Sequence, residues 1–176
     1  EKMAKSGGNA VNPLELIDTV GVDGFRYYVL AETPFGTDGD FTFDGLIARF
    51  NGDLANNLGN LVSRVTAMAH QYRHGRLTPA GETSRRLSDS ADEVITAYQQ
   101  AMDRLAVNEA VALVFRLIDA TNLHIAETTP WFLAKDPSKA DRLAQVLFDA
   151  AEAIRIVAVL LSPIMPGSSA EILRRV

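Results

Sequence analysis

The sequence contains no cysteine, which excludes disulfide bonds, zinc sites built from thiolates and a thiol nucleophile. Histidine is also scarce, and His70, His74 and His124 are too scattered for us to propose a metal site from them. No secretory signal is visible, and the most apolar stretch, IRIVAVLL over Ile154–Leu161, is too short to cross a bilayer. We therefore expect a soluble cytoplasmic protein without membrane contact.

Basic residues are outnumbered, because 17 Lys and Arg stand against 22 Asp and Glu and give a formal net charge of −5. This balance argues against broad, sequence-independent binding of nucleic acid, although it leaves room for a few directed contacts. Apolar residues make up 47% of the 176 positions, which is enough for a core without metal or disulfide support. The length fits one domain, or one domain with an appendage.

Helical signals begin at Asn12. This residue is a suitable N-cap, Pro13 suits the first helical position, and Gly21 is suited to end the helix. Asp23 begins a second short helix, which the loop ETPFGTDGD follows. The stretch FTF after that loop predicts a short strand.

The longest periodic segment has one apolar helical face, because its large apolar residues recur at steps of three and four. They are Leu46, Phe50, Leu54, Leu58, Leu61, Val65, Met68 and Tyr72. Further helices are predicted over about 83–105, 108–127 and 137–162, with Asn108 as an N-cap and Ser168 or Ser169 capping a last short helix. Short loops and few strand signals indicate a mainly α protein built as an antiparallel helical bundle.

A polar line of Asp53, Asn57, Asn60 and Arg64 follows the long segment at helical spacing. The stretch NNLGN goes against helix propensity, as expected where a site needs the side chains more than the helix does. Asn60 and Arg64, one turn apart, are candidates to present an amide and a guanidinium to one ligand. The alternative is a solvated face with an internal Asn–Arg hydrogen bond, and spacing alone favours that alternative.

Gly52, Ala55 and Gly59 share another face of the same segment. Glycine inside a helix costs about 1 kcal/mol relative to alanine, so two of them usually mark the close approach of another backbone. We expect close helix packing on this face.

Trp131 is the single tryptophan and lies in TTPWFLAKD. Pro130 predicts an extended residue before it, which places Trp131 where a helix has just ended. One interpretation is a stacking platform for a nucleic-acid base. The other is a tryptophan that packs at the hinge and donates its N–H to a backbone carbonyl. The sequence leaves both open.

The first residues, EKMAKSGGN, place Lys2 and Lys5 on a loop loosened by Gly7 and Gly8, with the Ser6 hydroxyl beside them. A lysine on such a loop is suited to reach a phosphate during a reaction and then withdraw. An ordinary lysine-bearing surface loop is the alternative.

Four blocks, taken in order, resemble one family. KMAKS is similar to the KMSKS signature of class I aminoacyl-tRNA synthetases, with Ala4 in place of the first serine. TPFGTDGDFT, NNLGNLVSR and TPWFLAKD then follow as in the methionyl-tRNA synthetases. The resemblance covers almost the whole chain and is weak between about residues 73 and 107.

The resemblance implies a parent enzyme that joins L-methionine to its tRNA through a methionyl-adenylate, using ATP with Mg²⁺. Lys5 matches the second signature lysine, which helps to stabilise adenylate formation on the pyrophosphate side and so contacts ATP. Lys2 and Ser6 match the first lysine and the final serine. We expect no metal to be bound by this segment.

The resemblance also implies RNA contacts. Asn60 and Arg64 match the two anticodon-reading residues of the family, and Trp131 matches the tryptophan that stacks on an anticodon base. The partner implied is a tRNA with the CAU anticodon. This reverses the preference for the solvated face that spacing alone gives.

Two parts follow from the resemblance: a KMSKS-type loop with a stem-contact segment over 1–42, and an α-helical anticodon-binding domain over 43–176. No HIGH-type motif and no parallel α/β half is visible. We therefore expect a catalytic Rossmann domain before Glu1 and no activity from this segment alone. The alternatives are the equivalent part of an isoleucine, valine, leucine or cysteine synthetase, and a helical interaction module without RNA binding.

Overall fold

A computed structural model describes residues 12–39 and 41–176, so Lys2, Lys5 and Ser6 lie outside the described residues. All regular secondary structure in these ranges is helical, which confirms the mainly α bundle. None of these helices is long and apolar enough to span a membrane. The elements are α1 (Pro13–Glu32), α2 (Phe43–Arg49), a π-helical segment (Phe50–Gly59), α3 (Asn60–Arg73), α4 (Arg85–Asp103), α5 (Val107–Thr128), α6 (Pro130–Leu133), a 3₁₀ turn (Pro137–Lys139), α7 (Ala140–Leu161) and α8 (Pro166–Arg175).

The central helix of the bundle is α7. More than half of its 22 residues are buried, and α3, α4, α5, α6 and α8 all contact it. In its most apolar part, Ile154, Val157 and Leu161 are at most 1% exposed. A helix that is apolar over most of its circumference needs neighbours on most sides, so α7 determines where the other helices lie.

Two buried polar residues of α7 hold the loop between α3 and α4. Gln145 Oε1 accepts hydrogen bonds from the backbone N–H groups of Ala80 and Gly81, both at 2.8 Å. Gln145 Nε2 donates to Asp149 Oδ1 at 2.8 Å, and Asp149 Oδ2 accepts from the Ser84 N–H at 2.9 Å. Because these groups satisfy one another, the loop is fixed to the core without an unpaired polar group at the contact.

Gly21 divides α1 into two helical stretches, as the sequence predicts. Its φ of 76° and ψ of 166° belong to a region that is essentially restricted to glycine. The predicted start of α1 is also confirmed, because Asn12 Oδ1 accepts from the Leu14 N–H at 3.1 Å and Pro13 occupies the first turn.

The second stretch of α1 is tied to the corner between α7 and α8. Arg26 donates from Nε to the Ile164 carbonyl and from Nη2 to the Pro163 carbonyl, both at 2.8 Å. Asp23 Oδ2 accepts from the backbone N–H of Ser168 in the first turn of α8. A carboxylate stabilises a helix N-terminus, so one turn of α1 satisfies groups at the ends of two other helices.

The long amphipathic segment is one continuous helical rod made of α2, the π-helical segment and α3. Its predicted apolar face is confirmed, since Leu46, Leu58, Leu61 and Val65 are at most 4% exposed. The middle of the rod leaves the α form where glycine and asparagine lower the α propensity. Turns of this π type are rare and are frequently found at functional sites.

The predicted strand FTF is wrong. Thr42 is the N-cap of α2, because its Oγ1 accepts from the Gly45 N–H at 3.0 Å, and Phe43 is already helical. Phe41 and Leu46 belong to a small apolar cluster that joins α1 to the start of the rod. The division of the chain after residue 42 stays a prediction.

Two predicted caps are also wrong. The N-cap of α5 is Ala106, so Asn108 lies inside the first turn. The last helix starts at Pro166, ahead of both serines predicted to cap it, because proline suits the first turn of a helix.

Gly21→Ala is expected to lower the free energy of unfolding by about 1–3 kcal/mol, because a β-carbon disfavours this backbone conformation. The matched control is Gly52→Ala, where an added β-carbon meets no atom within 4 Å and a change below about 1 kcal/mol is expected. Urea unfolding followed by circular dichroism measures both. An equal effect of the two substitutions would contradict the role assigned to Gly21.

Candidate functional site

The polar line on the rod divides into an inner pair and an outer pair. Asp53 belongs to the inner pair, because its Oδ2 accepts from the Tyr27 hydroxyl at 2.7 Å and from Arg49 Nη1 at 3.3 Å. Arg49 also donates from Nε to Glu32 at 2.9 Å. Asp53 therefore fastens the rod to α1 through one of its two carboxylate oxygens.

Tyr27 is the buried end of this network. Its side chain is 1% exposed, and its ring packs against Phe115 of α5 with 5.5 Å between ring centroids. Burial, followed by the hydrogen bond to the Asp53 carboxylate, raises the pKa of the Tyr27 phenol far above its usual value. The phenol is therefore a fixed donor that links three elements.

Asn57 is the second inner residue and joins the rod to α5. Its Nδ2 donates to Asp119 Oδ1 at 2.9 Å, and its Oδ1 accepts from Asn122 Nδ2 at 2.8 Å. Both polar ends of the amide are used. Sequence reasoning missed Asp119 and Asn122, although two poor helix formers in the interior of α5 were a signal of the same kind as NNLGN.

Asn60 and Arg64 form the outer pair, one turn apart on α3. Asn60 is exposed and Arg64 is half-buried. Within residues 12–39 and 41–176 neither side chain has a hydrogen bond or an ion pair, so the internal Asn–Arg bond is not formed. The α-helical spacing predicted four equivalent residues, but the wider turns of the π-helical segment separate Asp53 and Asn57 from the two that follow.

Trp131 lies on the one-turn helix α6, at the corner between α5 and α7. The expected extended residue before Pro130 is wrong, because Thr129 is left-handed with φ 44° and ψ 60°. The Trp131 side chain is 36% exposed and lies 6.4 Å from the Phe132 ring, centroid to centroid. Its indole N–H has no acceptor among the described residues, which removes the contact that the hinge-packing interpretation requires.

The glycine-containing face of the rod does not carry the close helix packing we expected. Space is open around Gly52, and a β-carbon on Gly59 would meet the carbonyl oxygen of Leu54, in the same rod, at 2.9 Å. Ala55 and Gly59 instead line a largely apolar cavity of about 790 Å³ between the rod, the Gly21 bend and α8.

The described residues contain no group of three or more His, Asp or Glu side chains that could hold a metal ion. His124 is buried, and burial lowers the pKa of its imidazole despite the nearby Asp149 carboxylate.

Two family models match the chain. One, described as tRNA synthetases class I (M), matches residues 1–66. The other, described as the anticodon binding domain of methionyl tRNA ligase, matches residues 76–176.

Curated relatives carry the same name. The chain is 45% identical over 168 residues to a methionine–tRNA ligase of Bacillus subtilis, covering 93% of this chain and 25% of that protein. It is 44% identical over 170 residues to one of Caldanaerobacter subterraneus, covering 95% of this chain and 27% of that protein. The chain thus spans about a quarter of the length of the curated relatives it matches.

Solved structures agree with these matches. The Mycobacterium tuberculosis methionyl-tRNA synthetase in complex with methionyl-adenylate superposes with a TM-score of 0.92 at 35% identity, covering 98% of this chain and 35% of that one. The apo form of the same enzyme gives a TM-score of 0.87 at 33% identity, covering 93% of this chain and 34% of that one.

The raised pKa of Tyr27 predicts that the protein loses stability at alkaline pH. The pKa of Tyr27 in the folded state lies above the unfolded value of about 10. The contribution of Tyr27 to the free energy of unfolding is therefore complete below pH 10 and is lost as the pH rises further. Between pH 10 and 11 the wild type should lose up to about 1.4 kcal/mol per pH unit more than Tyr27→Phe does.

Urea unfolding at several pH values measures this difference. Tyr72→Phe removes a phenol outside the network and serves as the control. Parallel pH profiles for the wild type and Tyr27→Phe would contradict the assignment.

Proposed function

The chain belongs to the methionyl-tRNA synthetase family, and from this we propose that it is the anticodon-reading and KMSKS-loop part of a methionine–tRNA ligase. The parent enzyme would ligate L-methionine to its tRNA through a methionyl-adenylate. The comparisons favour methionine over isoleucine, valine, leucine and cysteine as the amino acid, because the matching models and relatives are methionine enzymes.

The observation that carries the RNA role is the contrast between the two pairs on the rod. Asp53 and Asn57 make hydrogen bonds to α1 and α5, respectively. Asn60 and Arg64 have no partner within the described residues and are open to a ligand. Asn60 disfavours its helix without gaining an internal contact, which supports a role for it in binding a ligand.

The direction of the helices supports a common site. Tyr27 touches Asp53 with its hydroxyl and Phe115 with its ring, while Asn57 touches Asn122. On α5, the residues reached advance from 115, by way of Tyr27, to 119 and 122, as those on the rod advance from 53 to 57. From this order we infer that the two helices run in the same direction here.

Asn60 and Arg64 continue along the rod beyond these contacts, and α5 continues to the corner that carries Trp131. This arrangement favours convergence of the amide, the guanidinium and the indole. An anticodon loop is single-stranded, so its bases can turn outward toward such a set.

The three groups suit the first base of a CAU anticodon. The indole of Trp131 would stack on a base face, a contact worth about 1–3 kcal/mol. Arg64 would donate to the O2 and N3 acceptors of cytosine, and the Asn60 amide would donate and accept along a Watson–Crick edge. Recognition by a few aimed contacts is compatible with a net charge of −5.

The catalytic part of the proposal concerns the first residues. Lys5 would stabilise negative charge on the pyrophosphate side while the adenylate forms, with Lys2 and Ser6 completing the signature loop. ATP would be a reactant and Mg²⁺ the ion that it requires. Both would be held largely by a catalytic domain. Protein synthesis places such an enzyme in the cytoplasm.

Binding of an anticodon stem-loop RNA tests the RNA role. The wild-type chain is expected to prefer a CAU loop to one with a changed first base, and Trp131→Ala should weaken binding of the CAU loop by about 1–3 kcal/mol. Fluorescence anisotropy measures the dissociation constants, and circular dichroism checks that the helix content is unchanged.

Phe43→Ala is the matched control, because Phe43 is also an exposed aromatic side chain, at 51%, but lies at the first residue of α2, at the other end of the rod from Arg64. Equal affinity for the two loops, or equal effects of the Trp131 and Phe43 substitutions, would argue against the proposal.

Lys5→Ala tests the catalytic role in the full-length enzyme. Adenylate formation should slow by about two to three orders of magnitude if the ammonium is a preorganised charge donor. Methionine-dependent pyrophosphate exchange measures this step, with Lys139→Ala in the 3₁₀ turn as the control. Exchange at the wild-type rate in Lys5→Ala would refute the role.

A further inference from the structure

We propose that Asn57 is a positioning residue which, through Asp119 and Asn122, sets the register between the rod and α5 and thereby aligns Asn60 and Arg64 with Trp131. We call these three residues, Asn57, Asp119 and Asn122, the amide clamp. The inference rests on the proposed function, because alignment of the three reading groups matters only if they read one RNA loop.

The hydrogen bonds of the clamp fix one orientation of the Asn57 side chain. A carboxylate only accepts, so Asp119 Oδ1 requires the Asn57 Nδ2 donor at 2.9 Å. The Asn57 Oδ1 atom is then directed to the Asn122 Nδ2 donor at 2.8 Å. Rotating the rod against α5 would break both bonds, whereas an apolar contact would tolerate a small rotation.

The composition of the clamp is better suited to alignment than to stability. Asp119 is exposed, and Asn57 and Asn122 are only half-buried, so water competes for the same groups. Hydrogen bonds in such surroundings contribute little net stability. Both helices nevertheless carry poor helix formers where they meet. A polar pair that selects one register at some loss of stability is well known at helix interfaces.

The position of Asn57 in the π-helical segment strengthens the inference. The rod changes from π to α geometry between Gly59 and Asn60. The rotation of α3 about its axis is therefore set just before the first reading residue. Asn57 lies three residues before Asn60, so a contact at Asn57 fixes the direction in which Asn60 and Arg64 point.

A side-chain exchange across the clamp tests the inference. Asn57→Asp places two carboxylates opposite each other and should weaken binding of a CAU anticodon stem-loop about tenfold. The preference for this stem-loop over one with a changed first anticodon base should fall by a similar factor. Asp119→Asn keeps an acceptor for Asn57 and should change binding by less than about threefold. The double substitution restores a donor opposite the carboxylate and should bring affinity and preference back to within about twofold of the wild type.

Control variants distinguish the effects of added charge and of lost stability from a loss of alignment between Asn60, Arg64 and Trp131. Asn51→Asp adds the same charge to an exposed position of the rod and should leave the base preference unchanged. Asn122→Ala removes one donor without changing charge and should reduce the preference about three- to fivefold, which provides an uncharged test if Asn57→Asp folds poorly. All measurements use the full 176-residue chain at a temperature where circular dichroism shows complete folding.

The outcomes distinguish the two proposals. No preference for CAU in the wild type would overturn the proposed function and the clamp together. A wild-type preference that survives in both Asn57→Asp and Asn122→Ala would overturn the clamp alone, even if both variants are less stable. Failure of the double substitution to restore the preference lost in Asn57→Asp would also overturn it.

Discussion

The burial of α7 is the constraint on which the rest of the described structure depends. An apolar helix of 22 residues cannot be left facing water, and five other helices contact it. The same helix carries Gln145 and Asp149, whose side chains pair with the loop between α3 and α4. Burial of apolar side chains thus stabilises the packing of the helices, and hydrogen bonds from a few buried polar groups fix the position of the loop.

Much of the fold could be predicted because periodicity reports burial directly. The apolar face of the rod, the break at Gly21 and the helices over 85–103 and 140–161 all follow from local pattern and from the backbone freedom of one residue. The predicted strand failed because Thr42 acts as a helix cap, and three residues are too few to distinguish a strand from a cap followed by a helix. The left-handed Thr129 was missed because the restriction before proline is a preference that tertiary packing can override.

The residue types of the candidate site could be predicted from the sequence. Which of these residues contact other helices, and which do not, could not be predicted. Asp53, Asn57, Asn60 and Arg64 were grouped by a spacing that assumes one helical geometry, and the π-helical segment breaks that assumption. No local rule reveals that Asn57 would find two partners 62 and 65 residues away along the chain. The poor helix propensity of NNLGN was a valid signal, but it marked three things together: a change of helix type, a helix-to-helix contact at Asn57 and, at Asn60, a side chain without a hydrogen-bond partner among the described residues.

The anchoring of α1 has a mechanical consequence. From Asp23 onward this helix is hydrogen-bonded to the corner between α7 and α8. Leu16 and Val20, before Gly21, and Tyr28, after it, all belong to the smaller apolar cluster near the start of the rod. The change of direction at Gly21 therefore lets a single helix close over the start of the rod from both of its halves while its second half also holds the far ends of two other helices.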